Sequence, residues 1–318
     1  MDFKCGICGN INGNVEYFIR EMMFGNREKY KYVKCADCGC LQIKEIPGNM
    51  AKYYSGSYYS FNENKNFIRK YLSNKRDKYS TGQNSYLGKV LTRKYGYSEL
   101  YNWFKEVNAG LNDKILEIGC GEGVLLKKLA DIGFNNLIGI DPFVTGNITY
   151  KKKLNIYKKF IDEVNEGEFD FIMLHHSFEH MQGQIGTLKK ISQLIKKEKF
   201  ILIRIPVIDT AAWNEYNVDW VQLDAPRHFY IHSIKSMNIL AEKAGLRISK
   251  IIFDSTSFQF WASEQNKNNL PLNSENSYLI NPAKSIFTPT QIKQYEAKAQ
   301  KLNEEGQGDQ AAFFFKKV

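Results

Sequence analysis

The stretch from Ile115 to Asp141 begins Ile-Leu-Glu-Ile-Gly-Cys-Gly-Glu-Gly-Val and ends Leu-Ile-Gly-Ile-Asp. It predicts an apolar strand, a glycine turn, a helix and a second strand that ends in an acid. Glycines at 119, 121 and 123 allow backbone conformations that a Cβ would forbid, and they let a ligand approach the bare backbone. Asp141 stands at the tip of the second strand, where a carboxylate can accept both hydroxyls of a ribose. The stretch therefore predicts a nucleoside-binding pocket.

The spacing of the glycines indicates which nucleoside binds. The dinucleotide fingerprint Gly-x-Gly-x-x-Gly would need its third glycine at position 124, where the chain has Val124. Glu117 at the end of the first strand would repel a phosphate but would attract an ammonium or sulfonium group. S-adenosylmethionine carries both cations. A Rossmann-like unit that binds another ligand remains the alternative.

The order Glu117, Gly119, Gly121 and Gly123 resembles the first motif of class I S-adenosylmethionine-dependent methyltransferases. The resemblance implies an α/β fold with a Rossmann-like, doubly wound, seven-stranded sheet whose last strand inserts antiparallel beside its predecessor. It also implies S-adenosylmethionine as cofactor. The expected cofactor-binding residues are Glu117, Gly119, Cys120, Gly121, Gly123, Asp141 and His175.

Alternating strand and helix patterns after residue 113 agree with such a sheet. We predict strands at 114–118, 137–140, 154–160, 169–174, 200–205, 246–253 and 311–317, and helices at 124–132, 185–196, 233–244 and 290–304. The expected domains are a zinc-binding knuckle at 1–50, a helical tyrosine-rich cap or linker at 51–110, and a cofactor-binding domain at 111–318 with an excursion at 255–309.

Five of the six cysteines lie in the first 40 residues, as Cys5-x-x-Cys8-Gly and Cys35-x-x-Cys38-Gly-Cys40. Paired Cys-x-x-Cys knuckles suit a tetrahedral zinc ion, because each tight turn directs two thiolates to one point. Four thiolates leave no open coordination position, so we expect a structural zinc held by Cys5, Cys8, Cys35 and Cys38. Cys40 in place of Cys38, and a disulfide or redox role, remain alternatives.

Three of the five histidines lie at the end of the fourth predicted strand, in the sequence His175-His176-Ser-Phe-Glu179-His180. Ligands of open α/β sheets bind at the carboxyl ends of the strands, so this segment is expected at the active site. Glu179-His180 resembles the Glu-His of small-molecule methyltransferases, and in sugar C-methyltransferases with a zinc-binding amino terminus that histidine is the proposed base. The resemblance implies His180 as general base and Glu179 as its partner, with His176 near the substrate.

The second candidate segment reads Trp220-Val-Gln-Leu-Asp224-Ala-Pro-Arg227-His228. It resembles the Asp-x-Pro-Arg-His element of methyltransferases found with surface-polysaccharide enzymes. We expect Arg227 to bind a phosphate or carboxylate, Trp220 to stack on the substrate, and His228 to take part in catalysis. A structural turn with an Arg227–Asp224 salt bridge is the alternative. Tyr58, from the tyrosine-rich cap, is a further expected substrate contact.

A catalytic metal on His176, Glu179, His180 and His228 is a further open alternative, although known metal-dependent methyltransferases carry an acid where this chain has His176. Their mixed nitrogen and oxygen donors would suit such an ion.

The chain has 318 residues and a net charge of +10, and its 44 basic residues comprise 36 lysines but only 8 arginines. Arginine is the residue that phosphate and base recognition favours, so the charge is weak evidence for a nucleic-acid partner. No apolar run reaches the roughly 18 residues that span a bilayer, and the first residues do not form a signal peptide. We expect a cytoplasmic protein without membrane insertion.

Together these patterns predict an enzyme that methylates a small molecule, a sugar or nucleotide-linked sugar of surface-polysaccharide or deoxysugar synthesis. A zinc-knuckle methyltransferase of ribosomal or transfer RNA is the first alternative, since the positive charge would suit RNA. A non-catalytic adaptor that binds S-adenosylmethionine is the second.

Overall fold

The computed structural model describes residues 3–54, 67–165 and 167–318. The helices and strands in these ranges are β1 (Val15–Arg20), β2 (Lys29–Lys34), β3 (Leu41–Ile43), α1 (Phe67–Ser80), α2 (Tyr86–Tyr95), α3 (Leu100–Val107), β4 (Lys114–Ile118), α4 (Val124–Ile132), β5 (Asn136–Ile140), β6 (Ile148–Tyr150), β7 (Leu154–Tyr157), β8 (Phe169–His175), α5 (Gln184–Leu194), β9 (Ile195–Pro206), α6 (Ala211–Tyr216), β10 (Tyr230–Ile231), α7 (Ile234–Lys243), β11 (Leu246–Phe253), α8 (Phe258–Lys267), α9 (Pro289–Glu304) and β12 (Gln310–Lys317).

The central sheet confirms the predicted α/β fold. Its strand order is β11-β12-β9-β8-β4-β5-β7-β6. Strands β7, β5, β4, β8 and β9 run parallel, whereas β12 lies antiparallel between β9 and β11, as the resemblance implied. All seven predicted strands are present. Within the described residues β6 adds an eighth strand. It has only three residues, which is too short for an alternation of polar and apolar residues to predict it.

Several predicted boundaries were wrong. The strand expected at 154–160 ends at Tyr157. The helix expected to continue to residue 196 ends at Leu194, and β9 begins at Ile195 rather than at Phe200. Ile195 is buried and pairs with Phe169 at the start of β8, so sheet pairing overrides the helical pattern of this lysine-rich segment.

The amino-terminal sheet has the order β1-β2-β3-β10. Its fourth strand, β10, lies much later in the sequence: Tyr230 pairs with Gln42 and Ile231 pairs with Leu41. Backbone hydrogen bonds therefore join the cysteine-bearing segment to a strand from the region that was predicted as the cofactor-binding domain. Buried cysteines of this segment belong to the same apolar cluster as the residues of the central sheet.

Helices α1, α2 and α3 occupy the described part of the predicted helical region. Helix α3 buries Leu100, Trp103 and Phe104 in the cluster that includes β4 and α4. Among the described residues, no helix combines the length and apolar character that crossing a membrane requires.

Candidate functional site

The turn between β4 and α4 needs its glycines for different reasons. A Cβ on Gly119 would lie 2.4 Å from the Cβ of Ser177, and a Cβ on Gly123 would lie 2.3 Å from Cδ1 of Ile156. Gly121 has a positive φ of 52°, and a Cβ there would meet no atom within 4 Å. Two glycines therefore allow close packing, while Gly121 borders open space in which a ligand can approach the backbone.

Glu117 lies directly before this turn. Its side chain is buried, and its Oε2 has no hydrogen-bond partner within the described residues. Burial and then the charge of Asp141 raise the pKa of Glu117 to about 8. An unpartnered buried carboxyl is costly unless a donor or cation meets it, so the position fits a ligand ammonium group.

Asp141 ends β5 as an anchored carboxylate. The N–H of Gly121 donates to its Oδ2 at 2.9 Å, and the N–H of Phe143 donates to its Oδ1 at 2.8 Å. Each oxygen keeps a second lone pair that can accept a ribose hydroxyl. Phe143 exposes 87% of its surface beside this acid, an aromatic face that the sequence analysis did not single out.

Cys120 and His175, the other two expected cofactor contacts, are engaged with the protein. The thiol of Cys120 donates to Gly121 O at 3.3 Å, and burial raises its pKa. The His175 ring lies 4.3 Å from the ring of Trp103, and neither ring nitrogen has a hydrogen-bond partner within the described residues. Burial, with the nearby charge of Arg204, holds the pKa of His175 well below its usual value, so this ring is neutral.

The loop after β8 rests on the glycine turn. Ser177 Oγ donates to Ile118 O at 2.8 Å, in addition to the close approach of Ser177 to Gly119. Glu179, two residues later, accepts a backbone hydrogen bond from Phe229 at 2.8 Å. These contacts place the histidine segment between the glycine turn and the loop that carries His228.

Glu179 is the centre of this arrangement. Its side chain is 1% exposed, and its Oε1 lies 3.3 Å from His176 Nδ1 and 3.9 Å from His228 Nε2. Burial alone would raise the pKa of Glu179, but the hydrogen bond from His176 and the neighbouring imidazoles bring it to about 2. A carboxylate is therefore ionised among imidazole rings at neutral pH.

The tautomers of two of these rings follow from their contacts. His180 Nδ1 lies 2.8 Å from Arg227 O, and His228 Nδ1 lies 2.7 Å from Gln222 O. A carbonyl can only accept, so each Nδ1 carries a hydrogen, and in the neutral tautomer the lone pair is on Nε2. Burial lowers the pKa of His180, which favours this neutral form.

His176 does not present a ring nitrogen to a substrate as expected. Its Nε2 lies 2.6 Å from Arg204 Nη1, and Arg204 Nε donates to Asp254 Oδ2 at 2.6 Å. Arginine can only donate, so Nε2 accepts and Nδ1–H donates to Glu179. His176 thus orients Glu179. Arg204 was missed in the sequence, although a single arginine in the apolar run 201–205 was a detectable signal.

The expected substrate contacts of Arg227 and Trp220 need correction. The Arg227 side chain is fully buried, and its Nη2 lies 2.6 Å from Asp224 Oδ1 and 3.1 Å from Glu21 Oε1. Trp220 is 1% exposed and donates its indole N–H to Asp309 Oδ2 at 2.9 Å. Both side chains hold loops in place. The Arg227–Asp224 ion pair is the one that the alternative of a structural turn required, whereas Glu21 and Asp309 come from distant parts of the chain.

Tyr58 lies outside the described residues. Tyr54, from the same tyrosine-rich stretch, is described: its hydroxyl lies 3.4 Å from His180 Nδ1, and its side chain is 41% exposed. A phenol therefore stands at the exposed side of His180.

The four expected zinc ligands form one cluster. Sγ of Cys5 lies 3.6 Å from Sγ of Cys38, Sγ of Cys8 lies 3.4 Å from Sγ of Cys35, and all four atoms lie within 4.8 Å of one another. Thiolates bound to one tetrahedral zinc at about 2.3 Å stand about 3.8 Å apart, so the donor set fits zinc. The thiol of Cys40 is instead 3.8 Å from His232 Nδ1, outside the cluster.

Parts of this chain are similar in sequence to known proteins. The sequence model of the family described as "Methyltransferase domain" matches residues 72–251, more than half of the chain. Human EEF1A lysine methyltransferase 2 is 26% identical over an alignment of 135 residues, with a coverage of 36% of this chain and 57% of that protein. The chain thus spans little more than half the length of this curated relative.

Two similar solved structures come from Galdieria sulphuraria and Archaeoglobus fulgidus. The first is a crystal structure described as a sarcosine dimethylglycine methyltransferase, with 14% identity and a TM-score of 0.43, over 69% of this chain and 84% of that one. The second is a SAM-dependent methyltransferase with 18% identity and a TM-score of 0.42, over 72% of this chain and 98% of that one. Because the family match over residues 72–251 covers more than half of the chain, the chain belongs to the methyltransferase domain family.

Proposed function

We propose that this enzyme transfers the methyl group of S-adenosylmethionine to an oxygen or carbon of a sugar or nucleotide-linked sugar. The observation that carries the proposal is the packing of Ser177 against Gly119, because it places two groups side by side. One is a cradle with an unpartnered buried acid, Glu117. The other is the ionised Glu179 with the rings of His180 and His228 beside it.

In this proposal the cradle binds the cofactor. Glu117 would bind the ammonium group of the methionine part, and Asp141 would accept the ribose hydroxyls with its remaining lone pairs. Gly121 would let the cofactor lie against bare backbone, and Phe143 would offer an aromatic face to the adenine. The bound cofactor supplies an electrophilic methyl group, which a nucleophile in line with the sulfonium displaces.

The histidine cluster would activate the acceptor. We assign the general base to His180, because burial lowers its pKa and favours the neutral ring with a lone pair on Nε2, and because His180 is less buried than His228. Glu179 would stabilise the imidazolium that forms when His180 takes the acceptor proton, and His228 would lie beside it. Tyr54 would contact the same acceptor.

Resemblance to sugar methyltransferases supports the acceptor class, and a hydroxyl or carbon acceptor is one that needs a base. The buried Arg227 removes the expected phosphate contact, so recognition of a nucleotide would depend on other residues. Protein lysine is the second candidate, because the human relative is named a lysine methyltransferase. The four amino-terminal cysteines would bind a structural zinc in either case.

Two measurements test the proposal. Titration calorimetry with S-adenosylhomocysteine should give binding of one molecule per chain. Absence of binding would exclude the proposal and favour another ligand, whereas binding without methyl transfer to any acceptor would favour the adaptor. Transfer of labelled methyl should then be compared across sugar nucleotides, RNA and protein. Label in RNA that declines steeply with salt, or label in protein lysine, would replace the sugar assignment.

The base role has its own test. His180→Asn should retain S-adenosylhomocysteine binding but lose roughly 100-fold or more in kcat, the usual contribution of general-base catalysis. Tyr86→Ala, an exposed substitution remote from the cluster, serves as the matched control. Unchanged turnover in the His180 variant would remove the base from the mechanism.

A further inference from the structure

Positive charge is concentrated in the helical hairpin formed by α1 and α2. Residues 67–95 contain eight lysines and arginines but a single acid, Asp77, so this segment carries seven of the ten net positive charges of the chain. Asp77 is buried, and its Oδ2 lies 3.5 Å from Nζ of Lys128 in α4. The one acid of the hairpin therefore faces the protein, and the outer surface of the hairpin is strongly basic.

Helix α2 has an apolar strip on its outer side. Its buried residues are Gly88 and Thr92, and a Cβ on Gly88 would lie 2.1 Å from a backbone oxygen of α1. Because an α-helix has about 3.6 residues per turn, the side opposite to these two residues carries Tyr86, Leu87 and Val90. The three are 86%, 37% and 46% exposed, respectively. The large apolar residues of α2 therefore face solvent rather than the protein.

Three exposed cations border this strip. Lys89 and Arg93, one helical turn apart, lie along one side of it, and Lys94 lies one turn after its last residue. Helix α2 contains no acid. The ion pairs that the hairpin forms within the described residues involve Lys70 and Asp77 instead. The apolar strip is thus framed by positive charge that the surrounding side chains do not neutralise.

We propose that α2 binds the anionic surface of a lipid bilayer and lies in the plane of that surface. A helix of 10 residues is about 15 Å long, half of the roughly 30 Å of a hydrocarbon core, so α2 cannot span a bilayer. An apolar strip bordered by lysine and arginine is typical of helices that lie between headgroups and acyl chains. Leu87 and Val90 enter the acyl boundary, while Lys89, Arg93 and Lys94 bind lipid phosphates.

Two features favour a bilayer over a nucleic acid or a second copy of this chain. Nucleic-acid binding depends on phosphate contacts and base stacking, to which aliphatic side chains such as Leu87 and Val90 contribute little. A second copy would bring the same cations against Lys89 and Arg93, and like charges in an interface repel. An anionic lipid surface accommodates both the aliphatic side chains and the cations.

Co-sedimentation of the full-length protein with lipid vesicles tests the proposal. We expect binding to phosphatidylcholine vesicles that contain about 30% phosphatidylglycerol, and little binding to vesicles of phosphatidylcholine alone. Binding to the anionic vesicles should decline as the ionic strength rises from about 0.05 M to about 0.5 M, because salt screens the attraction.

Two double variants separate the charge of α2 from its apolar strip. Lys89→Glu with Arg93→Glu should weaken partition into anionic vesicles at least about tenfold, since each basic residue near such a surface contributes roughly fivefold. Leu87→Ser with Val90→Ser keeps the charge of the protein. It should also weaken partition roughly tenfold, because two apolar side chains no longer enter the acyl boundary.

The matched control changes the net charge equally at another part of the surface. Lys189 in α5 and Lys293 in α9 are exposed helical lysines outside the hairpin. Lys189→Glu with Lys293→Glu should change partition by less than about twofold, since those lysines do not border the strip. Circular dichroism of every variant reports whether it is folded.

Three outcomes would overturn the proposal. They are absence of binding to anionic vesicles, equal binding to neutral and anionic vesicles, and an equal loss of binding in the hairpin variant and the control. Binding of labelled RNA that the Lys89→Glu, Arg93→Glu variant loses, without vesicle binding, would assign the basic surface to a nucleic acid instead. Titration with S-adenosylhomocysteine is a separate measurement, so either this proposal or the proposed function can fail while the other holds.

Discussion

Cofactor binding should be coupled to the ionisation of Glu117. Burial and the charge of Asp141 raise the pKa of this carboxyl to about 8 in the unliganded protein, so at pH 7 it is mostly protonated. A ligand ammonium group would bind the ionised form. Binding must then release a proton, and apparent affinity must rise as pH rises toward the pKa of Glu117.

The size of the effect follows from that pKa. If only the ionised carboxylate binds, the apparent Kd for S-adenosylhomocysteine falls roughly 50-fold between pH 6 and pH 8, and about 0.9 proton is released per molecule bound at pH 7. Glu117→Gln removes the titrating group. At pH 8 the variant should bind roughly 10- to 100-fold more weakly than the wild type, since a charge-assisted hydrogen bond contributes about 1.5–3 kcal/mol. At pH 6 the two proteins should differ little.

Calorimetry in two buffers of different ionisation enthalpy measures both the Kd and the number of protons released. The ligand's own amino group titrates identically in both experiments, so the ratio of the variant Kd to the wild-type Kd isolates Glu117. A ratio that stays constant from pH 6 to pH 8, with no proton release at pH 7, would refute the ammonium–Glu117 contact. Urea unfolding of Glu117→Gln controls for loss of structure.

Three further predictions concern the rest of the chain. Native mass spectrometry should show that Cys38→Ser loses the zinc ion expected in the cysteine cluster, whereas Cys40→Ser, whose thiol lies outside the cluster, should retain it. Arg227→Ala should lower the free energy of unfolding in urea by about 3–5 kcal/mol, because two buried carboxylates lose their partner, whereas Arg20→Ala at a partly exposed ion pair should cost under about 1 kcal/mol. Burial raises the pKa of Asp309 to about 6, so the folded state keeps a proton that the unfolded chain releases, and stability falls as pH rises from about 4 to 6. Asp309→Asn should therefore be more stable than the wild type at pH 8, by up to roughly 3 kcal/mol, and equal to it at pH 3; an equal difference at both values would contradict the assignment.

The cofactor half of the site was predictable because its determinants are local. Gly119, Gly121 and Gly123 lie in one turn, and Asp141 ends the next strand of the same βαβ unit. Parallel pairing of β4 with β5 then brings the acid back beside the turn. One short stretch of sequence specifies the strand, the turn and the helix, so the local sequence pattern predicts the local structure correctly.

The acceptor half depended on contacts that cross the whole chain. Arg227 has the sequence context of a substrate-binding arginine, but Glu21 and Tyr53, both from the amino-terminal segment, complete its burial. The sequence predicted His176 as a substrate contact, but in the structure Arg204 from β9 donates a hydrogen bond to its Nε2. Glu21 and Tyr53 are far from Arg227 in sequence, and Arg204 is far from His176. No periodic sequence pattern predicts contacts of this kind.

The sequence by itself determined the methyltransferase sheet, the glycine turn with its acids and the four clustered cysteines, because short-range spacing and strand polarity specify them. Only the tertiary structure decided which polar side chains stay available for chemistry. Burial and partner choice divide the polar residues: Arg227 is enclosed by carboxylates, whereas the rings of His180 and His228 lie beside Glu179 with Nδ1 on backbone carbonyls. Whether a polar side chain is buried with a partner or remains available depends on which distant groups the fold brings within hydrogen-bond distance of it.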